Sequence, residues 1–312
     1  MKTSIRRRLA ACALTVGLAT GATLVPGAAS AATPAPLPEG TLATAISNFV
    51  FSPDRLAGVN DWTCRPTPQH PEPVILQHAT FVNLGSNFVK LAPRLKNAGY
   101  CVFAENYGMT LLSGGRIGGL GRVETSVAAF GRFVDRVRAA TGAAKVDVVG
   151  HSQGGLTPFA YIKLAGGASK IDDYVSWGGT QHGTTLGGLA SLGKAFGVLG
   201  VVEIGAALLQ APGLTDQAVG SAFQDKLWAN PSVPKGPDYL TIATNRDTVS
   251  TPYTNQALAG AQNVVIQDLC PADTVGHVGM FLDEPTLQLT MNALAGGPES
   301  FRPRCEGYGP AV

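Results

Sequence analysis

The stretch Lys145-Val-Asp-Val-Val-Gly-His-Ser-Gln-Gly-Gly155 constrains this chain more than any other, because it runs a β-branched segment into a serine ringed by glycines. Lys145 to Val149 reads as a buried strand, and Leu156, Phe159, Ala160 and Leu164 then follow at helical spacing. Pro158 is expected in the first turn of that helix, where a missing N–H is tolerated. A reversal this sharp from strand to helix leaves room only for small neighbours. It holds the serine in a strained backbone conformation with its hydroxyl out at the edge of a sheet. A G-x-S-x-G pentad alone is weak in a chain with 39 glycines; its strand and helix context gives it weight. Ser152 is therefore the candidate nucleophile.

The rest of the chain supplies a sheet for this turn to stand on. Strands are expected over 74–78, 100–104, 145–149, 171–177, 239–243 and 264–267, with helices near 87–98 and 122–140 and a last helix from about Asp283. In the second of these helices Val123, Val127, Phe130, Val134 and Val137 form one apolar stripe, with Arg132, Asp135, Arg136 and Arg138 outside it. Strands alternating with helices imply an α/β fold with a mostly parallel central sheet and helices on both faces. Between Gly178 and Trp228 lies a Gly/Ala/Leu-rich interval whose apolar part, Ala195 to Leu209, is broken by Glu203 and several glycines. It is too short to span a bilayer, and reads as buried helices, as a cap or lid over an apolar cleft, or as both.

A hydrophobic fraction of 45% with 14% charged residues suits one large globular domain and excludes a disordered chain. The first 31 residues differ. Lys2, Arg6, Arg7 and Arg8 precede an apolar stretch from Leu9 to Val25, and Ala29-Ser30-Ala31 offers small residues for cleavage. This predicts a signal peptide and a secreted protein, with Thr15, Gly17, Thr20, Gly21 and Pro26 diluting the run below a membrane anchor. The three arginines leave Sec and twin-arginine export both open. Residues 32–60 read as an N-terminal arm, loose over its Ala/Pro-rich start, and 61–312 as the catalytic domain.

Without residues 1–31 the chain carries 19 basic against 21 acidic residues, so the formal charge of +2 becomes −2. No basic run survives, which argues against a nucleic-acid partner. Cys12 leaves with the leader, and Cys64, Cys101, Cys270 and Cys305 remain, an even set of the kind exported proteins cross-link. Of three pairings, Cys64 with Cys101 and Cys270 with Cys305 is favoured, since each closes a short loop. No C-x-x-C spacing or nearby histidine suggests a metal.

A serine hydroxyl needs an imidazole to take its proton, and the imidazole needs a carboxylate to set its tautomer. In doubly wound sheets with this elbow, acid and histidine follow the serine on loops after later strands. Of the histidines, only His182 and His277 come after Ser152. His277 sits on a glycine-flanked loop before the last helix and is the candidate base, whereas His182 leaves too little chain for an acid loop before it. His78 and His151 are expected as buried neighbours of the site and His70 as a surface residue. Asp247, just past a strand end, is the candidate acid, with Asp268 and Asp273 as rivals better suited to loop hydrogen bonds. The oxyanion needs amides from the residue after the nucleophile, Gln153, and from the loop after the first core strand, Thr80.

Five stretches together resemble the secreted bacterial lipases of the α/β-hydrolase class, the actinobacterial class 2 type in particular, across nearly all of the mature part. They are Pro73-Val-Ile-Leu-Gln-His-Ala-Thr80, Leu95-Lys-Asn-Ala-Gly-Tyr-Cys-Val-Phe103, Gly150-His-Ser-Gln-Gly-Gly155, Asn245-Arg-Asp-Thr-Val-Ser-Thr-Pro252 and Val275-Gly-His-Val-Gly279. Thr80 and the Ser-Gln-Gly elbow are also similar to the fungal lipase B site, where a threonine contributes both amide and hydroxyl to the oxyanion hole. The resemblance implies nucleophile Ser152, acid Asp247, base His277, oxyanion donors Thr80 and Gln153, and no cofactor. It implies a lipid or other apolar ester as substrate, met at a lipid–water interface. Family members usually carry glycine where this chain has Ala79; a positive φ there would strain an alanine. A polyester depolymerase or acyltransferase on the same triad, and a non-catalytic lipid-binding protein on a retained fold, remain the alternatives.

Overall fold

The Val/Ile-rich runs form a six-stranded parallel sheet because their backbones pair while their side chains are buried on both faces. A computed structural model of the chain describes residues 35–195 and 211–312. Residues 1–31, read above as a signal peptide, and nearly all of the Ala195–Leu209 interval lie outside the described residues. The strands are β1 (Val74–Gln77), β2 (Val102–Ala104), β3 (Val146–His151), β4 (Ile171–Trp177), β5 (Asp238–Ala243) and β6 (Gln262–Val265). They lie in the order β2-β1-β3-β4-β5-β6, each pair parallel.

Successive side chains along a strand point to opposite faces, and β1 shows the consequence. Val74 and Leu76 pack on one side with Leu91 and Leu95 of helix α3 (Leu91–Asn97) and Leu287 of α10 (Glu284–Leu294). Ile75 faces the other side, against Phe130 and Val134 of α4 (Val123–Thr141) and Leu156 and Phe159 of α5 (Gln153–Leu164). The apolar stripe of α4 is buried along its whole length, and Gly142 in the left-handed region ends the helix. Above the strand ends a third apolar group joins Leu189 and Leu192 of α6 (Leu186–Ala195), Leu214 of α7 (Pro212–Asp216), Phe81, Leu120 and Val249. Helix α8 (Ala222–Trp228) closes the 178–228 interval.

Three local expectations are corrected. The helix expected over 87–98 is two pieces, α2 (Leu84–Asn87) and α3, because a continuous helix would carry Pro93 in its interior, whereas a restart at Leu91 puts it in a first turn. Pro158 lies inside α5 as its sixth residue, since the helix begins directly after Ser152, and its ring deletes the bond Gly154's carbonyl would accept. The last strand stops at Val265, and Ile266–Leu269 is a helical turn, α9. That turn lets Gln267 reach back, donating to Thr244 Oγ1 at 3.0 Å and accepting from the Asn245 amide at 2.9 Å. Within the segment read as an arm, Leu42–Phe51 is a helix, α1, capped by Thr41 and Thr44.

Helix α1 is held by shape more than by propensity. Ala45 is buried in the core, Asn48 Nδ2 donates to Gly85 O at 2.8 Å, and a Cβ at Gly85 would stand 2.0 Å from Ser52 O. Pro36–Val312, α1 included, forms one compact unit.

Cys64 is bonded to Cys101 and Cys270 to Cys305, at sequence separations of 37 and 35. Closing loops of that length stabilises by about 3–4 kcal/mol each in the chain-entropy model. Among the described residues no helix is long and apolar enough to cross a membrane.

Candidate active site

Ser152 stands between the end of β3 and the start of α5 with φ 57° and ψ −123°, one of three described non-glycine residues with positive φ. Such backbone costs about 1–3 kcal/mol and persists only where its surroundings impose it. Here close packing does so. A Cβ at Gly150 would lie 2.0 Å from Gly154 O, and one at Gly154 would lie 2.0 Å from Gln77 O. The two glycines let helix α5 start against β1 and β3, and the Ser152 amide then donates to Trp177 O at 2.8 Å. Ser152 Oγ is buried and has no hydrogen-bond partner.

The loop after β5 carries Asp247, and the loop after α9 carries His277. Their side chains meet with His277 Nδ1 at 2.9 Å from Asp247 Oδ2, both buried. The carboxylate is also held by donors: the amides of Val249 and Ser250 reach Oδ1, and Gln256 Nε2 reaches Oδ2, each at 2.8 Å. A carboxylate surrounded by donors takes the hydrogen of Nδ1, which leaves the lone pair on Nε2. His277 Nε2 is itself buried without a partner. The imidazole adjoins the elbow: a Cβ at Gly178, next to Trp177, would lie 2.8 Å from its Nδ1, and its ring centre is 5.2 Å from that of His151.

Thr80 and Gln153 are brought together across Gly119, where an added Cβ would lie 2.9 Å from Thr80 Cα and 2.9 Å from Gln153 Oε1. Gln153 Nε2 donates to Gly119 O at 3.0 Å and Gly213 O at 3.1 Å, so its side chain points up into the 178–228 interval. Thr80 Oγ1 accepts from Gln217 Nε2 at 3.2 Å, and Thr180 Oγ1 donates to Gln217 Oε1 at 3.2 Å. With an amide N–H on its oxygen, the Thr80 hydroxyl keeps its own hydrogen to give away. Ala79 does not adopt a positive φ, so the alanine is not strained there; Phe81, at 69°, does. The Ala79 amide donates to Asn87 Oδ1 at 2.6 Å.

The remaining histidines separate cleanly. His78 Nδ1 donates to Ala79 O at 2.8 Å and its Nε2 accepts from the Tyr107 amide at 3.3 Å; burial pushes its pKa down to about 4, so the ring is neutral. His151 is buried beside the pair described above. His182 donates through Nδ1 to Asn255 O at 3.0 Å and stacks on Trp228 at 3.9 Å, a loop role. His70 is half-buried, its ring stacked on Tyr100 at 3.7 Å. Asp273 accepts from the Val275 amide at 2.8 Å, and Asp268 is exposed, so neither approaches His277 as Asp247 does. Asn87, Gln217 and Gln256 were not legible as site residues, since each is an isolated polar side chain with no motif around it.

A cavity of about 260 Å³ abuts the site. Ile46 and Phe49 of α1, Phe81 and Phe281 line it with apolar surface, and Asn87 and His151 are among its few polar groups.

The molecule is similar to Aspergillus fumigatus lipase B, at 18% identity and a TM-score of 0.57 over 86% of this chain. It is similar also to mature Bacillus licheniformis lipase BlEst2 (16% identity, TM-score 0.50, 78% of this chain and 96% of that one). A third similar structure is MGS-MChE2, an alpha/beta hydrolase enzyme from the metagenome of lagoon sediments at Mar Chica, Morocco (20%, 0.51, 74% and 93%). At these identities the likeness establishes the fold, which is that of the α/β hydrolases. The chain spans 64% of the length of the Aspergillus protein. Residues 71–288, which hold the elbow, the His277–Asp247 pair and all six strands, match the model of the lipase (class 2) family, and the chain belongs to that family.

Proposed function

We propose that this protein is a secreted serine ester hydrolase that cleaves acylglycerols or similar apolar carboxylic esters through an acyl-enzyme on Ser152. The observation that carries the reading is the buried hydrogen bond between His277 Nδ1 and Asp247, with His277 Nε2 and Ser152 Oγ each buried and left without a partner. His277 Nε2 takes the serine proton as Oγ attacks the ester carbonyl, and Asp247 stabilises the imidazolium that forms. The amides of Thr80 and Gln153, with the Thr80 hydroxyl, donate to the oxyanion. His277 returns the proton to the departing alcohol, and water then repeats the sequence on the acyl-enzyme. The apolar cavity beside His151 and the Leu189, Leu192 and Leu214 group above the sheet support an apolar substrate. The basic-then-apolar opening and four cysteines all in disulfides support export.

A fluorophosphonate probe is expected to label one serine, Ser152, with tributyrin and p-nitrophenyl esters turned over by the unlabelled protein. Labelling that persists in Ser152→Ala, or erosion of a polyester film with tributyrin and triolein both inert, would overturn the assignment. Thr80→Val removes one oxyanion donor and is expected to lower kcat by about 10²-fold with KM little changed, measured by steady-state ester hydrolysis. Gln217→Leu frees the Thr80 hydroxyl to turn away and is expected to lower kcat in the same sense by a smaller factor.

A further inference from the structure

Three loops carry the proposed chemistry, and one chain of buried hydrogen bonds joins them. The Ala79 amide, next to Thr80, donates to Asn87 Oδ1 at 2.6 Å. Asn87 Nδ2 donates to His151 Nδ1 at 3.0 Å, and His151 Nε2 donates to the backbone carbonyl of His277 at 3.0 Å. Both ends of this chain are fixed in polarity, because an amide N–H can only donate and a carbonyl can only accept. The polarity propagates inward: Asn87 must turn its oxygen to Ala79 and its NH2 to His151, and His151 must be bare at Nδ1 and protonated at Nε2. Only one amide orientation and one tautomer satisfy every member.

Water does not compete for these bonds. Ala79, Asn87 and His151 are 2%, 3% and 3% exposed. Burial, and then the neighbouring His277, pushes His151 down to about 3, so its ring stays neutral as the acceptor at Nδ1 requires. A half-satisfied buried network costs more than an apolar one, so the relay is rigid when whole.

We propose that Asn87 and His151 are positioning residues that hold the Thr80 loop and the His277 backbone in one register on either side of Ser152. This rests on the triad reading above. Neither residue reacts; each fixes where a reacting group stands. A misplacement of about 1 Å costs about 10²-fold in rate, so Asn87→Ala and His151→Phe are each expected to lower kcat by about 10–10²-fold. Because one relay is broken either way, the double variant is expected to lose no more than the worse single one.

The cavity sets up the contrast, since both side chains also line it. If they served only as its wall, the variants would shift KM and ester chain-length preference, kcat would hold, and the two effects would multiply; that result overturns the proposal. Ser152→Ala is run beside them: if it keeps activity the triad reading fails, and if it is inactive while both relay variants keep wild-type kcat, the relay alone fails. Should the variants not fold, ¹⁵N NMR of the wild-type protein decides. The His151 ring is expected protonated at Nε2, bare at Nδ1, and without titration between pH 5 and 8; the opposite tautomer or a midpoint near its ordinary value overturns the assignment.

Discussion

Ser152→Ala is expected to lower kcat for ester hydrolysis by about 10⁶-fold, to the residue of catalysis that binding and oxyanion donors supply without a nucleophile. The size of the loss follows from how the group works. In the proposed mechanism His277 and Asp247 act only through the serine oxygen, so removing it silences all three together. The fold should be indifferent to the change. Ser152 Oγ is buried without a partner, and the amide that holds the residue in place, donating to Trp177 O, stays in alanine. Thermal denaturation is therefore expected at or slightly above the wild-type temperature, because an unsatisfied buried hydroxyl is removed. Retention of more than about a thousandth of wild-type kcat in a folded variant would show that another group attacks the ester.

Asp247→Asn is expected to lower kcat by about 10⁴-fold while leaving the protein folded. The hydrogen-bond geometry dictates why. Asp247 Oδ1 accepts two backbone amides, from Val249 and Ser250, so an asparagine must keep its oxygen there and turn its NH2 toward His277. An NH2 facing Nδ1 demands a lone pair on that nitrogen and moves the imidazole hydrogen to Nε2, where it can no longer take the serine proton. Gln256 can follow by rotating its amide, since its Oε1 is buried with no partner and becomes an acceptor for the new NH2. The check is kcat in p-nitrophenyl ester hydrolysis beside a melting curve. A loss under tenfold would mean that His277 draws its tautomer from elsewhere.

How much of this was legible beforehand depends on the range of the forces involved. The elbow is a local matter: Gly150 and Gly154 are required by atoms within four residues or on the adjoining strand, so their spacing announces the turn. The strands were legible because burial on both faces leaves continuous β-branched runs. Asp247 and His277 could be picked out because sheet topology puts their loops at the carboxyl edge, in a chain order set by the fold.

Helix α1 shows where such reading ends. Its residues include Thr44, Ser47, Asn48, Phe49 and Val50, poor or middling helix formers, and its apolar side chains remain in part exposed. What orders it is the fit of Gly85 beneath Ser52 and the burial of Ala45, contacts made with residues 33 or more positions away in the chain. Gln217 lies 137 residues from Thr80, and Asn87 lies 64 residues from His151. A single polar residue leaves no period to detect, and its value appears only when its partner is beside it.

The sequence by itself determined the sheet, the strand-to-helix turn that holds Ser152 and the small set of side chains proposed to serve it, because each follows from local sterics and the periodicity of burial. Tertiary structure alone decided which atoms meet: Asp247 behind His277, Gln217 on Thr80, Asn87 and His151 between the loops, and α1 over the cavity. The physical reason is that a hydrogen bond acts over about 3 Å while the residues it joins can stand anywhere in the chain, so only the folded backbone brings donor to acceptor.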